Sequence, residues 1–371
     1  MTTMPNIMKD NSMKLRIVAL CALILIAGTL QIDARDPPRP PPPSKPPAPV
    51  VRIGDPIPGL SATDLARFLA GKAVFSRVFT AGDGLGPLFN NAGCAACHEV
   101  PVVGGSGGFG EEGEVDVERH ASAGDQPTCN ELVNEGGPVF RQQTTGVPIP
   151  PIPAGSDVHI GGRSTPALFS SGSIDAVWAA NIVENEKNGG RAARLPDGSI
   201  GRFGRKATDA NLADFVRGAF AIEQGVDVPS ELSEADLALA TFFVRNLAPP
   251  ATQVKDRKGE TLFKEIGCAH CHIPSMHIGG GHRAFIYSDL LLHDMGPGLA
   301  DICKGAAATH EFRTEPLMGI RFRTRFLHDG RALTLTSAIA NHGGNAQRSS
   351  DKFFNLHRDE RQALLKFLGG L

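Results

Sequence analysis

One tryptophan and one tyrosine serve the whole chain, Trp178 and Tyr287, so neither aromatic is a routine filler of the core. Net charge is missing too: 37 Lys and Arg stand against 39 Asp and Glu, a formal charge of -2. That balance gives no electrostatic ground for nucleic acid or an anionic membrane as partner. Long hydrophobic runs are also lacking. The one apolar stretch, Ile17 to Leu30, is too short for a comfortable membrane span and follows Lys9, Lys14 and Arg16. Basic residues before a short apolar run, with small residues near Ala34, read as an export signal over 1–34. The competing reading is an uncleaved anchor that tethers the protein to a membrane. Cys21 follows Leu20, where a lipoprotein signal wants a small residue, which argues against lipidation.

Glycine and proline are plentiful, at 43 and 28, and point to long ordered loops. Residues 35–50 contain a polyproline segment that acts as a stiff, extended linker. A length of 371 residues makes two domains the prior expectation, and 41% hydrophobic content is enough for real cores.

Cysteine is sparse, seven in all, and its placing carries the information. Cys94-Ala95-Ala96-Cys97-His98 and Cys268-Ala269-His270-Cys271-His272 both read C-x-x-C-H. Each follows a matching lead-in, Leu88-Phe89 with Gly93 and Leu262-Phe263 with Gly267. Thiols three residues apart reach the two vinyl groups of one porphyrin, and the following His projects to the iron as proximal ligand. A lone C-x-x-C also suits zinc ribbons and redox dithiols; two copies with the terminal His favour two covalently bound haem c groups. Such attachment takes place outside the cytoplasm, in agreement with an export signal. Cys129 and Cys303 are left over and can pair in an oxidising compartment, although sequence does not show that they are close.

Helical spacing recurs over 63–79, over 209–224 with Gly225 as the stop, over 232–247 and over 356–371. Between 104 and 157 there is no clear periodicity. Arg163-Ser164-Thr165-Pro166 corresponds to Arg313-Thr314-Glu315-Pro316, and Phe243 to Phe367. The predicted fold is therefore mainly α. It comprises two cytochrome c-like domains, 51–250 and 251–371, related by internal duplication, with a long loop insertion in the first.

The stretch Phe326-Leu327-His328-Asp329-Gly330-Arg331, followed by Ala338-Ile339 and a last helix, resembles the closing signature of bacterial di-haem cytochrome c peroxidases and of the methylamine dehydrogenase maturation enzyme. A closer similarity is to their relatives, the di-haem oxidoreductase (thiol oxidoreductase-like) family. It rests on Leu85-Gly86-Pro87-Leu88-Phe89-Asn90, Gly201 to Ala207, Tyr287 to Gly296 and His342 to Ala346. The resemblance implies His342, fourteen places after His328, as the sixth ligand of the second haem, opposite His272. Met295 is the alternative there, with Met276, Met318 and His328 as further candidates. For the first haem it implies a displaceable His before the Arg-Ser-Thr-Pro element, His159, with His120 a weaker choice. Proton transfer to a leaving peroxide oxygen needs an acid or base; Asp175 is the first candidate and Glu184 the second. Trp178 lies where the peroxidases place an indole between their haems, and packing is the competing role. The family's calcium is doubtful, because Ser164 replaces the usual Asn and Thr324 is offset by one position.

The implied function is a periplasmic, peroxidase-like di-haem cytochrome. Electrons enter at the second haem from a small donor protein, a cytochrome c or a cupredoxin, and peroxide or another small oxidant is reduced at the first. A homodimer is compatible with the sequence. The alternatives are a pure electron carrier and an enzyme that oxidises a protein or polymer partner at long range.

Overall fold

In the computed structural model, residues 51–108, 117–253 and 256–371 are described; the export signal and the polyproline linker lie outside them. Ser61 accepts the backbone N–H of Asp64 at 3.1 Å and so starts α1 (Ala62–Phe75). An antiparallel sheet follows, formed by β1 (Val117–Ala123), β2 (Val139–Phe140) and β3 (Val158–Ser164) in the order β2-β1-β3. Its register pairs Val117 with Ser164 and His120 with both Gly161 and Val139. Asn211 caps α2 (Leu212–Ala219), which runs on as a π-helical turn, Phe220–Gln224, and stops at Gly225 with φ +66°. Then come α3 (Glu234–Arg245) and α4 (Arg257–Glu265). β4 (Leu292–Asp294) pairs with β5 (Glu311–Arg313), and the chain closes with α5 (Leu335–Ala340), α6 (Gln347–Asn355) and α7 (Arg358–Leu368). Among the described residues no helix is long and apolar enough to cross a membrane.

Two helix crossings build the apolar cores, and each depends on a glycine. α1 crosses α3 at Gly71, where a Cβ would stand 2.1 Å from the Leu239 carbonyl oxygen. Phe68 and Phe75 close on Phe243 at 5.0 and 5.1 Å. α4 crosses α7 at Gly259, where a Cβ would stand 2.2 Å from the Ala363 oxygen, and Phe263 meets Phe367 at 5.4 Å. A methyl at either glycine must push backbone apart, so Gly259→Ala is expected to cost about 1–3 kcal/mol. Gly218 has nothing within 4 Å of its would-be Cβ, and Gly218→Ala should gain roughly 0.4–1 kcal/mol. Thermal melting of the two variants checks the pair; a Gly259→Ala protein that melts with the parent would rule out the close crossing.

The expectation of a mainly α protein is corrected. Helix accounts for 36% and strand for 15% of the described residues, a mixed α/β composition, and a duplication is not shown. The two crossings are alike, but the three-stranded sheet has no counterpart among the described residues after 251. The region read as a loop insertion supplies that sheet. Its strands escape the alternation rule because they bury polar residues: His120, Ser122, Arg163 and Ser164 are all inside. The described residues form one compact unit. Cys129 and Cys303 do pair, with 5.9 Å between their Cα atoms.

Candidate active site in two cysteine–histidine cavities

Each C-x-x-C-H element opens into its own cavity. The first sits on one helical turn, Cys94–Cys97, entered through Gly93, where a Cβ would lie 2.3 Å from the Arg77 oxygen. Cys94, Cys97 and His98 line the cavity behind it. His98 Nδ1 lies 3.1 Å from the Gly105 oxygen and the Pro166 oxygen also acts on the ring; donation at Nδ1 would leave Nε2 as the lone pair for a metal. Burial holds this imidazole down to about 4, neutral at physiological pH. The same burial pushes the Cys94 thiol up to about 12 and the Cys97 thiol higher still.

The second cavity repeats that preparation and adds to it. Gly267 turns the chain at φ +101°, and Cys268, Cys271 and His272 line the cavity. His272 Nδ1 lies 3.1 Å from the Tyr287 oxygen, and burial brings its pKa to about 4. His342, just past the end of α5, lines the same cavity with Nδ1 2.7 Å from the Ala338 oxygen. Burial lowers its pKa as well, and the two rings are near enough for the charge of one to act on the other. Both imidazoles are thus tied at Nδ1 and keep Nε2 for a metal. Met295 also lines this cavity, whereas Met276 and Met318 pack in the apolar core. His328 lines this cavity too, with its ring stacked on Phe312 at 4.2 Å and its Nε2 held at 3.2 Å from Asp301.

Among the described residues one cluster of other metal-ligating groups gathers: Cys271, Asp289 and His293. It includes only one cysteine of its motif, and His293 Nε2 is already bound to Asp289 at 2.8 Å. It reads as packing around the Cys271 sulfur.

A family model described as "Di-haem oxidoreductase, putative peroxidase" matches residues 50–112 and 188–371. The chain belongs to this family. No curated protein matches it. Among solved structures, it is similar to hydrazine synthase of Kuenenia stuttgartiensis (16% identity, 63% of this chain and 99% of that chain, TM-score 0.34). It is also similar to a MauG-like protein associated with microbial copper homeostasis (20% identity, 55% of this chain and 85% of that chain, TM-score 0.31).

As a di-haem oxidoreductase the protein takes haem as its cofactor, and the residues that could hold it line the two cavities. The sequence-read helpers are elsewhere. Asp175 accepts the Leu212 backbone N–H at 2.8 Å and Arg245 Nε at 3.0 Å, which fastens the start of α2. Glu184 is exposed and paired with Lys187. Trp178 is 62% exposed. His159 stands on β3 opposite Ser122. None of these four lines either cavity. At the calcium positions, Ser164 is buried and Thr324 Oγ1 donates to the Gly107 oxygen at 3.2 Å.

Three residues that sequence reasoning placed low or missed do line the first cavity: Glu118, His120 and Glu223. Glu118 Oε2 lies 3.1 Å from His120 Nε2, and Asn90 Nδ2 donates to Glu223 at 2.7 Å. The two carboxyl groups are hydrogen-bonded to each other. Burial, and then the neighbouring Glu223 charge, hold Glu118 well above the usual carboxylate range. Burial holds His120 neutral, and its Nδ1 is buried without a hydrogen-bond partner. Glu118 and His120 are two apart on one strand and so face the same side. That signal was available in the sequence only to a reader who had recognised β1.

Proposed function

We propose that this di-haem oxidoreductase is a periplasmic peroxidase-like enzyme with two covalently attached haem c groups. Cys94 and Cys97 would hold the first and Cys268 and Cys271 the second, with His98 offering its imidazole to the first iron and His272 and His342 theirs to the second. When bound, the haem iron supplies the electrons and the position at which peroxide is reduced. The overall step is balanced: peroxide takes up two electrons and two protons and leaves as two waters.

The observation that carries this reading is the unlike equipment of the two cavities. The second is lined by two neutral imidazoles, His272 and His342, a set that would suit a saturated electron-transfer centre. The first offers a proton store. Glu118, protonated, donates to Glu223, while its other oxygen accepts Nε2–H of His120. Nδ1 of His120 is then a lone-pair base able to take a proton from one peroxide oxygen, and Glu118 can return one to the departing oxygen. A pure carrier has no use for such a group. A small cytochrome c or cupredoxin supplies electrons at the second haem. The Cys129–Cys303 disulfide supports an oxidising compartment.

The test is the spin state of each iron in the oxidised, purified protein. The parent should show one low-spin centre and one that reacts with peroxide. His342→Ala should convert the low-spin centre to high spin; a low-spin spectrum that survives the substitution excludes His342 as ligand.

A further inference from the structure

Both cavities share one charged cluster in their walls. Arg205, Arg313 and Glu315 line the two of them, and Arg323 lines the second. The Glu315 carboxylate takes Arg205 Nη1 at 2.6 Å and Arg313 Nη2 at 2.9 Å on one oxygen, and Arg323 Nη2 at 2.6 Å on the other. The arginine side chains are only 7–10% exposed. Guanidinium does not give up its proton in a protein. Three positive charges therefore face one negative charge, and two positive charges lie buried without an anion in the cluster. Arg323 Nε is also buried with no hydrogen-bond partner. The next carboxylate to act on Arg313, Asp289, is already bound to His293. Buried unpaired charge is costly, several kcal/mol for each ion, so the cluster calls for anions from outside the chain.

Porphyrin chemistry says which anions. The vinyl groups and the two propionates of a haem occupy opposite edges of the ring. Thiols that hold the vinyls at one end of each cavity direct the propionates to the other end, away from the cysteines. Arg205, Arg313 and Glu315 line both cavities and Arg323 the second, so a propionate of either haem can meet them. The Arg313 backbone N–H donates to the Arg205 oxygen at 2.9 Å, and Arg313 Nε donates to the Gly204 oxygen at 2.9 Å. Arg205 Nη2 donates to the Ser164 oxygen at 3.0 Å, so both guanidinium groups are held by main chain.

We propose that this cluster is a shared anion site that takes propionates from both haems, so that Arg205 and Arg313 set the two reduction potentials together. The inference rests on the di-haem reading above. A fixed positive charge beside a porphyrin favours the reduced iron, and a charge common to both cavities acts on both irons.

The experiment uses the full chain carrying its haems, counted first by the pyridine haemochrome spectrum, followed by spectroelectrochemical titration. Arg313→Gln is expected to lower both potentials. At a fixed ambient potential the reduced-to-oxidised ratio of each haem should fall on the order of tenfold, about 59 mV for a one-electron couple. Arg323→Gln should lower the second haem alone, and Arg313→Lys should bring both back towards the parent. Arg205→Gln carries the same expectation as Arg313→Gln and serves where the latter does not accumulate. Two haems per chain with neither potential moved, or with only one moved by Arg313→Gln, overturns the shared site and leaves the di-haem reading standing. A chain without haem overturns both.

Discussion

Glu118→Gln is expected to lower kcat/KM for peroxide reduction by roughly 10²–10⁴-fold, the usual worth of a positioned acid–base group. At 1.36 kcal/mol for each factor of ten, that is about 3–5 kcal/mol of transition-state stabilisation. The amide keeps the size of the carboxyl group and still donates to Glu223, so the network stays bonded. What it cannot do is release and regain a proton at pH 7. The sign of the pH dependence follows from the raised pKa of Glu118. The working form is the protonated acid, so parent activity should be present at low pH and fall as pH rises through that raised value. Glu118→Gln should flatten this limb. Haem content and the oxidised spectrum must stay those of the parent. A variant with parental turnover, or one whose loss comes with an altered Soret band, sinks the assignment. Asp175→Asn is the contrasting case. It weakens the hold on Leu212 and Arg245, so about 1 kcal/mol of stability should be lost while turnover persists.

The sequence revealed most where the determinant is local. Each C-x-x-C-H element is five consecutive residues, and the helices that cross at Gly71 and Gly259 carry their caps and apolar faces within one turn of themselves. The helices read over 63–79, 232–247 and 356–371 are found as Ala62–Phe75, Glu234–Arg245 and Arg358–Leu368, whereas Arg257–Glu265 was not read from the periodicity. His342 was legible through the resemblance, and its cavity position gives that reading a physical setting. The sheet was not legible, because strands that bury His, Ser and Arg carry no alternation of apolar and polar residues. With β1 unseen, Glu118 and His120 were two polar residues in a loop. Their partner Glu223 is 105 positions away by number on a π-helical turn, a proximity that no local pattern encodes. The same holds for the arginine cluster, whose members come from the 201–207 segment, β5 and the loop after it. Trp178 marks the opposite error: being the lone indole made it conspicuous, but rarity says nothing about burial, and the side chain faces solvent.

Loss of the Cys129–Cys303 bond is expected to be the largest single cost to stability. The two cysteines are 174 positions apart, and the chain-entropy account of a loop that long gives about 5 kcal/mol, with about 2–5 kcal/mol the usual cost of removing a native disulfide. The bond is placed where it matters for the first cavity. Cys303 is fully buried, and its backbone N–H donates to Ser122 Oγ, on β1, at 3.0 Å. Two positions earlier Asp301 binds Arg163 of β3 and holds Lys206 Nζ at 3.3 Å. The disulfide and this ion cluster together fasten the strands that present Glu118 and His120. Cys129→Ser combined with Cys303→Ala should therefore lower the denaturation midpoint by more than any substitution discussed above. It should also reduce peroxide turnover, while the covalently held haem count stays at the parental value. Because Cys303 is inaccessible, reductant added to the folded parent should act slowly and only through opening of the chain. An oxidised parent and a double variant that unfold at the same denaturant concentration would show that the sheet is held by packing alone, and that the cross-link adds nothing to the site.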